Sequence, residues 1–593
     1  MSHPVSGLPG ADPAEVAPAP SLSLVPERPA ALELTARALG MGLLIGGLLA
    51  VTNVYMGLKT GWWESGSVTA AVLGFSALAS VSRRRGVPYT PLENNLTQTA
   101  AASVGAMPAA AGLLGALPAL TLLGTSIPGW GVAVWSVALG VLGVLAAHLL
   151  RRRLVAQEAL PFPTGIATAE LITAMHASTG DAVARAGRGR LLAGAGAVAV
   201  AVTAARDALK WLPGMTALPG TLAGLPAASL TWGVGWSPML LAIGMMTGPR
   251  LGLSMLAGAA VAWGVLAPAL AGAGVLADTR YETLSAWLTW PGVGLMVGSA
   301  LAALLAQARD FLSAARDVGS LGRGAAVPSW ALGAGLAACV LAVVVGAALF
   351  GLGVPYMLLA LVLVLPLCAV CARGAGQVDV SPVTQMGQVT QVIFGALLPG
   401  AMAPNVAAGA VVSGAAAQTG VSMWSLKAGH LLGASARHQL VAQLVGVLAG
   451  SVVGVPVYLL LSRTHGLGSE ALPAPFAHQF RAVAEVAVRG LDGLPPHAAL
   501  AACVAVGVGA LLTWVSRGRA ARWLPLPVAL GIGFILPAYY AVTLCLGALG
   551  LAAARWRWPR AADRNTSTLA AGAIAGESLA GVLIAALMAF GLT

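Results

Sequence analysis

The feature that most constrains this chain is a succession of apolar runs, each close to the length of a membrane span, with no soluble domain between them. A helix that crosses a bilayer needs about 20 apolar residues. The clearest runs are 36–58, 64–82, 96–124, 129–150, 190–206, 237–274, 289–308, 328–350, 354–372, 383–421, 439–462, 496–515, 523–553 and 567–591. Several exceed one span or are cut by proline, so they predict about 13–16 transmembrane helices plus broken or re-entrant segments. None shows the ten-residue alternation of an outer-membrane barrel. The expected fold is an all-α polytopic membrane protein. Only 9% of the 593 residues are charged and 58% are hydrophobic, whereas a soluble domain carries about 25% charge. A cytosolic enzyme, a secreted disulfide scaffold and a disordered chain are thereby excluded.

The net charge is +12, but the positives sit in short loops between apolar runs. That pattern sets topology rather than building a nucleic-acid face. Arg83-Arg84-Arg85, Arg151-Arg152-Arg153, Arg185/Arg188/Arg190 and Arg309/Arg316/Arg323 are expected in the cytoplasm. Residues 1–30, rich in Pro, Ala and Ser, read as a disordered cytoplasmic tail. Residues 157–175 between two of these basic groups are broken by Pro161 and Pro163, which fits a re-entrant hairpin better than two spans. Of the five Cys, Cys368 and Cys371 form a CxxC. No second pair or nearby His completes a metal site, and no cofactor is expected.

An internal repeat is visible. Pro238, Gly244 and Gly258 match Pro527, Gly533 and Gly547 at a constant offset of 289. Leu58-Lys59-Thr60-Gly61 echoes Leu426-Lys427-Ala428-Gly429, and Asn94-x3-Gln98 with Gly105 echoes Gln439-x3-Gln443 with Gly450. The LPFPTG near 160 has a partial echo in LPLP near 524. Their order predicts two repeat-related membrane halves, 31–310 and 311–593. Repeats with broken helices in corresponding places mark secondary transporters.

Intramembrane acids are functional candidates because a carboxylate in hydrocarbon must be paired, protonated or facing water. Glu170 follows PFPTG on a short helix and reads either as a proton-coupling group or as a helix-end acid near an interface. Glu577, in AAGAIAGESLAGVLIAAL, reads as a second proton-coupling group or as a permanently protonated buried acid. Glu93, Asn94, Asn95 and Gln98 open a long apolar run as a polar cluster. They read as substrate-binding amides or as interhelical hydrogen bonding. Lys is scarce, with three in the chain; Lys59 and Lys427 are either substrate contacts or snorkelling ends.

These segments together resemble the oligopeptide transporter family, including its yellow-stripe-like branch. The residues that carry the match are Asn53-Val54-Tyr55-Met56-Gly57-Leu58-Lys59-Thr60-Gly61, Glu93-Asn94-Asn95 with Gln98-Thr99, and Leu160-Pro161-Phe162-Pro163-Thr164-Gly165. Ser237-Pro238, Ser381-Pro382, Leu426-Lys427-Ala428-Gly429 with Gln439, and Gly576-Glu577 match as well. The resemblance implies a proton-coupled symporter of small peptides or peptide-like metal chelates, working by alternating access in the bacterial inner membrane. It implies substrate contacts at Asn53, Lys59, Glu93, Asn94, Asn95, Gln98, Lys427 and Gln439. Its partners are then the small-molecule substrate, protons and lipid, with no nucleic acid, and the oligomeric state is open. One departure is that the stretch before the second LKxG, AAAQTGVSMWSLKAG, carries no acid. The rival readings are an uncoupled facilitator or exporter and a membrane-embedded enzyme. No HExxH or GxGD occurs in an apolar run to support the enzyme.

Overall fold

The structure, a computed structural model, describes residues 32–177, 182–276, 278–306, 327–379, 381–490, 494–518, 521 and 523–591. The tail 1–30 and Arg309/Arg316/Arg323 lie outside the described residues, as do the side chains of Arg83–Arg85, Arg185 and Arg188. The described chain is almost entirely helical. Twelve of its helices are long and apolar enough to cross a membrane.

The first helices are α1 (Ala36–Thr60), α2 (Ser67–Arg85), α3 (Pro91–Ala110), α4 (Ala116–Leu122), α5 (Gly129–Arg151) and α6 (Pro163–Ala177). Then come α7 (Ala182–Thr203), α8 (Pro238–Thr247), α9 (Pro249–Ala259), α10 (Ala267–Gly272) and α11 (Tyr281–Ala306). The remainder are α12 (Ser329–Phe350), α13 (Val354–Val378), α14 (Val383–Leu397), α15 (Met402–Leu432), α16 (Ala436–His465) and α17 (Pro475–Arg489), followed by α18 (Ala498–Val515), α19 (Pro527–Ile535), α20 (Ala538–Arg557) and α21 (Pro559–Ala589). Two small antiparallel ladders, Met215–Ala217 with Gly233–Gly235 and Thr221–Leu222 with Leu225–Pro226, interrupt the chain between α7 and α8. α3 opens on Glu93-Asn94-Asn95 and so falls short of a spanning hydropathy, yet it is buried over almost its whole length.

The breaks follow from the sequence. Ser237 caps α8 and Pro238 starts it, and Gly248 at φ 82° with Pro249 stops it and begins α9. α19 likewise starts at Pro527 and ends before Pro537. α8 and α19 are too short to span, whereas α9 runs on through a π-helical turn, Ala260–Leu266, into α10 as one candidate span; broken helices in membranes survive where protein or a cavity covers them. α6, at 15 residues, is also shorter than a span.

Helix packing sorts the chain into two blocks. α1–α6 and α12–α17 pack mainly among themselves, as do α7–α11 with α18–α21. The main contacts between the blocks are α21 against α1 and α16, and α11 against α17 and α14. Within them the contacts recur in matched pairs. α7 packs on α21 as α18 does on α11, α8 on α20 as α19 does on α9, and α5 on α15 as α16 does on α3. The α8–α20 and α19–α9 contacts run in step with the 289-residue offset, and the other pairs keep the same order at different spacings.

The matching also corrects two of the short echoes. Phe162 and Ala474, each between two prolines, share a left-handed φ of 46° and 47°. The Phe162 N–H donates to Gly376 O and the Ala474 N–H to Leu58 O, both at 2.8 Å. The counterpart of LPFP is therefore LPAP at 472–475 rather than LPLP. The counterpart of Leu58–Gly61 is Gly376–Asp379 rather than the second LKxG. Each of those segments ends its helix in a left-handed residue, Gly61 at φ 75° and Asp379 at φ 60°. Three- and four-residue matches in so Gly-rich a chain carry little register information.

Candidate functional site

A charged gap lies between the two blocks. Its centre is Arg206, on a short π-helical turn, Ala204–Ala208, that extends α7. Such turns widen a helix locally and recur at functional sites. Arg206 is buried, and its guanidinium forks onto Asp207 through Nε and Nη2, both at 2.6 Å. Nη1 reaches the Trp236 carbonyl at 2.6 Å and Glu577 Oε1 at 3.2 Å. Glu577, on α21, is fully buried. It accepts from the Ser237 hydroxyl on both oxygens at 2.9 Å and from the Met239 N–H at 2.9 Å. The carboxylate thus sits at the N-terminus of α8, where free N–H groups and the helix dipole favour an anion.

The other block faces this cluster with Lys59, Tyr55, His465 and Glu470. Lys59 Nζ donates to the Tyr55 hydroxyl at 3.0 Å and forms no ion pair with a described residue. A cavity of about 290 Å³ is lined by Lys59, Arg206, Asp207, Ser237, Glu470 and Tyr540, with others. A second of about 190 Å³ is lined by Tyr55, Lys59, Asp207, Lys210 and His465 among others. Both combine residues of the two blocks. Burial pushes the carboxyl of Glu470, in the loop between α16 and α17, above its ordinary range, against the hydrogen bond from Tyr539.

The expected site residues divide into five groups. Lys59 and Glu577 come together at the charged gap. Asn95, Gln98 and Gln439 meet at the α3–α16 contact. There Gln98 Nε2 donates to Asn95 Oδ1 and Thr99 Oγ1 at 3.1 Å, and Gln439 Nε2 donates to Thr99 Oγ1 at 3.3 Å and Ser425 O at 2.8 Å. Asn94 Nδ2, Asn95 Nδ2 and Gln98 Oε1 remain buried without a partner. Lys427 lies under the PFPTG helix: a Cβ on Gly165 would come within 2.9 Å of Lys427 Cβ and 2.7 Å of Trp424 O. Glu170 is exposed on α6, away from both clusters, with no hydrogen bond or ion pair to a described residue.

Asn53 and Glu93 are occupied by the fold. Asn53 Nδ2 donates to Glu64 O and Gly105 O, both at 2.8 Å, and its Oδ1 accepts from the Glu64 N–H at 3.1 Å, which pins the turn after α1. Glu93 closes a capping box with Thr90. It also accepts from Thr35 Oγ1 at 2.6 Å and from Arg37 through Nε and Nη2 at 2.7 Å. Arg37→Ala should therefore lower stability by about 1–3 kcal/mol, the cost of leaving a buried polar group short of partners. The check is a lower thermal midpoint with an unchanged apparent Km for uptake.

Sequence reasoning missed Arg206, Asp207, Tyr55 and Glu470. The available signal was Arg206-Asp207 interrupting an apolar run that began near 190.

A polytopic bundle whose two blocks enclose a charged cavity, with broken helices ending at it, is the architecture of a membrane transporter. The family model for the OPT oligopeptide transporter proteins matches residues 33–588, and the chain belongs to that family. The Saccharomyces cerevisiae protein YGL114W, provisionally named an oligopeptide transporter, is 24% identical over 94% of this chain and 96% of its own. The metal-nicotianamine transporter YSL2 of Arabidopsis thaliana is 25% identical over 92% of each chain. The iron-phytosiderophore transporter yellow stripe 1 of Zea mays is 25% identical over 88% of this chain and 85% of its own.

Proposed function

We propose that this transporter is a proton-coupled symporter of small oligopeptides or peptide-like metal chelates, working by alternating access in the inner membrane with its N-terminus in the cytoplasm. The observation that carries this reading is the charged gap itself. Lys59 of one block and Arg206 and Asp207 of the other border one cavity of about 290 Å³, and Glu577 is bonded to Arg206 behind its wall. A relative movement of the blocks would open and close it. The matched contact pairs support two repeat-related halves, 31–310 and 311–593, each contributing helices to both blocks. Substrate carboxylates are assigned to Lys59, which forms no ion pair with a described residue. Coupling is assigned to Glu577 rather than to Glu170. The amide cluster of Asn94, Asn95 and Gln98, with its unpartnered atoms, and Lys427 below α6 would contact substrate further along the path.

The test is uptake into liposomes by the purified protein. Di- and tripeptides and iron or nickel chelates are offered with and without an inwardly directed proton gradient. Accumulation above equilibrium with the gradient, and equilibration without it, is the expected result. Equal, downhill-only uptake in both conditions would replace the symporter with a facilitator.

A further inference from the structure

We propose that an apolar cavity adjoining the charged gap receives an apolar side chain of the substrate, so that the transported species is amphiphilic rather than wholly polar. This rests on the peptide-like reading above. The cavity measures about 400 Å³, within the range of about 300–1,000 Å³ typical of ligand sites. Leu240 and Tyr540 line both this space and the charged one, and Thr60, in its wall, directly follows Lys59. A molecule whose carboxylate reaches Lys59 would therefore have its next group at the mouth of the apolar chamber.

The chamber's chemistry is uniform. Ile243, Met255, Ala529 and Ile532 are among its walls. Most of its hydroxyls are already engaged: Thr60 Oγ1 donates to Met56 O, and Thr513 Oγ1 lies 2.8 Å from both Ser299 Oγ and Gly509 O. The Ser516 hydroxyl has no partner among the described residues.

The matched halves support the same conclusion. Gly576 on α21 packs against the α7 backbone at Gly196, and Gly298 on α11 packs against the α18 backbone at Val506. The residues that follow these glycines are Glu577, bonded to Arg206 of the charged gap, and Ser299 in the apolar chamber. The cap of α8 is Ser237, and the corresponding position before α19 is Leu526. Of these two corresponding sites, each assembled from both halves, one is ionic and the other apolar, and they share the wall of Leu240 and Tyr540.

The experiment compares unlabelled L-alanyl-L-alanine and L-alanyl-L-phenylalanine as competitors of labelled L-alanyl-L-alanine uptake in liposomes. Wild type should bind the phenylalanine peptide tighter by about tenfold or more, since burying one large side chain discriminates by at least that factor. Ala529→Phe, which fills the chamber, should bring the ratio close to one. Ile532→Ala, which enlarges it, should shift preference toward L-alanyl-L-tryptophan. Each ratio is measured within one variant, so reduced expression does not disturb it. Equal competition by the two peptides in wild type overturns the proposal, as does an unchanged ratio in both variants. If both variants keep their ratio but lose co-purified lipid, the chamber holds an acyl chain and the proposal is also overturned. No uptake of any dipeptide by wild type overturns the peptide reading itself and this inference with it.

Discussion

Glu577→Gln is expected to reduce gradient-driven accumulation to the background of protein-free liposomes while the protein still folds and binds substrate. The reason lies in how Arg206 divides its bonds. Its fork is committed to Asp207 by two contacts of 2.6 Å, whereas Glu577 receives a single longer one of 3.2 Å. Arg206 can therefore release Glu577 without becoming an unpaired buried cation. If Arg206 withdraws, Glu577 keeps the Ser237 hydroxyl and the Met239 N–H, and on the proposed reading the coupled proton takes the place of the guanidinium. Movement of the blocks would change access to the gap, and Glu577 would exchange a proton for Arg206 once per cycle. Glutamine keeps the shape and removes the titration. It also sets an amide near the Met239 N–H, so its thermal midpoint should fall modestly, by the equivalent of about 1–3 kcal/mol. Exchange of internal for external substrate should survive. Glu170→Gln serves as the comparison and should retain accumulation. Uphill uptake by Glu577→Gln with the wild-type dependence on external pH would remove Glu577 from the coupling step.

That ordering differs from what the sequence alone suggests, and the difference is physical. Glu170 stands out in a linear reading because it follows a proline-broken motif. Its exposure is decided by which face of α6 meets α2 and α15, and no local pattern fixes that. Glu577 is legible as an intramembrane acid, but its partner Arg206 is 371 residues away. Arg206 belongs to none of the basic groups that set topology, and nothing near it in the sequence ties it to Glu577. Glu93 and Asn53 show the converse. Both lie in the most recognisable motifs, yet their polar atoms are engaged by Arg37, Thr35, Glu64 and Gly105. A motif can identify a family through residues that build the scaffold as readily as through residues that touch substrate. The helical class and the broken helices were legible because hydrocarbon leaves few options for backbone. The sorting of helices into two blocks was not, because each block draws on both halves of the chain.

The repeat that did survive comparison with the structure makes the last and largest structural prediction. Gly244, Gly258, Gly533 and Gly547 sit at two helix crossings, in reciprocal fashion. A Cβ on Gly244 would collide with the carbonyl of Leu544 on α20, and one on Gly547 with the carbonyl of Leu241 on α8. A Cβ on Gly258 would collide with Leu530 O on α19, and one on Gly533 with Met255 O on α9. In lipid there is no hydrophobic drive between helices, so association depends on such close backbone approach at small residues. The obstructing atoms are backbone, which cannot swing aside as a side chain can. Gly244→Ala should therefore cost more than the ~3 kcal/mol usual for overpacking, and Gly547→Ala should cost about the same, since the two positions share one crossing. Loss of the monodisperse peak in detergent, or a thermal midpoint lowered by many degrees, is the expected readout. Gly194→Ala is the control: it lies within α7 with nothing near its Cβ position. There alanine should be neutral or stabilise by about 0.5–1 kcal/mol, the usual helix preference over glycine. Equal behaviour of Gly244→Ala and Gly194→Ala would mean that the α8–α20 crossing is looser than the structure shows, and the charged cap that Glu577 makes on α8 would lose its fixed support.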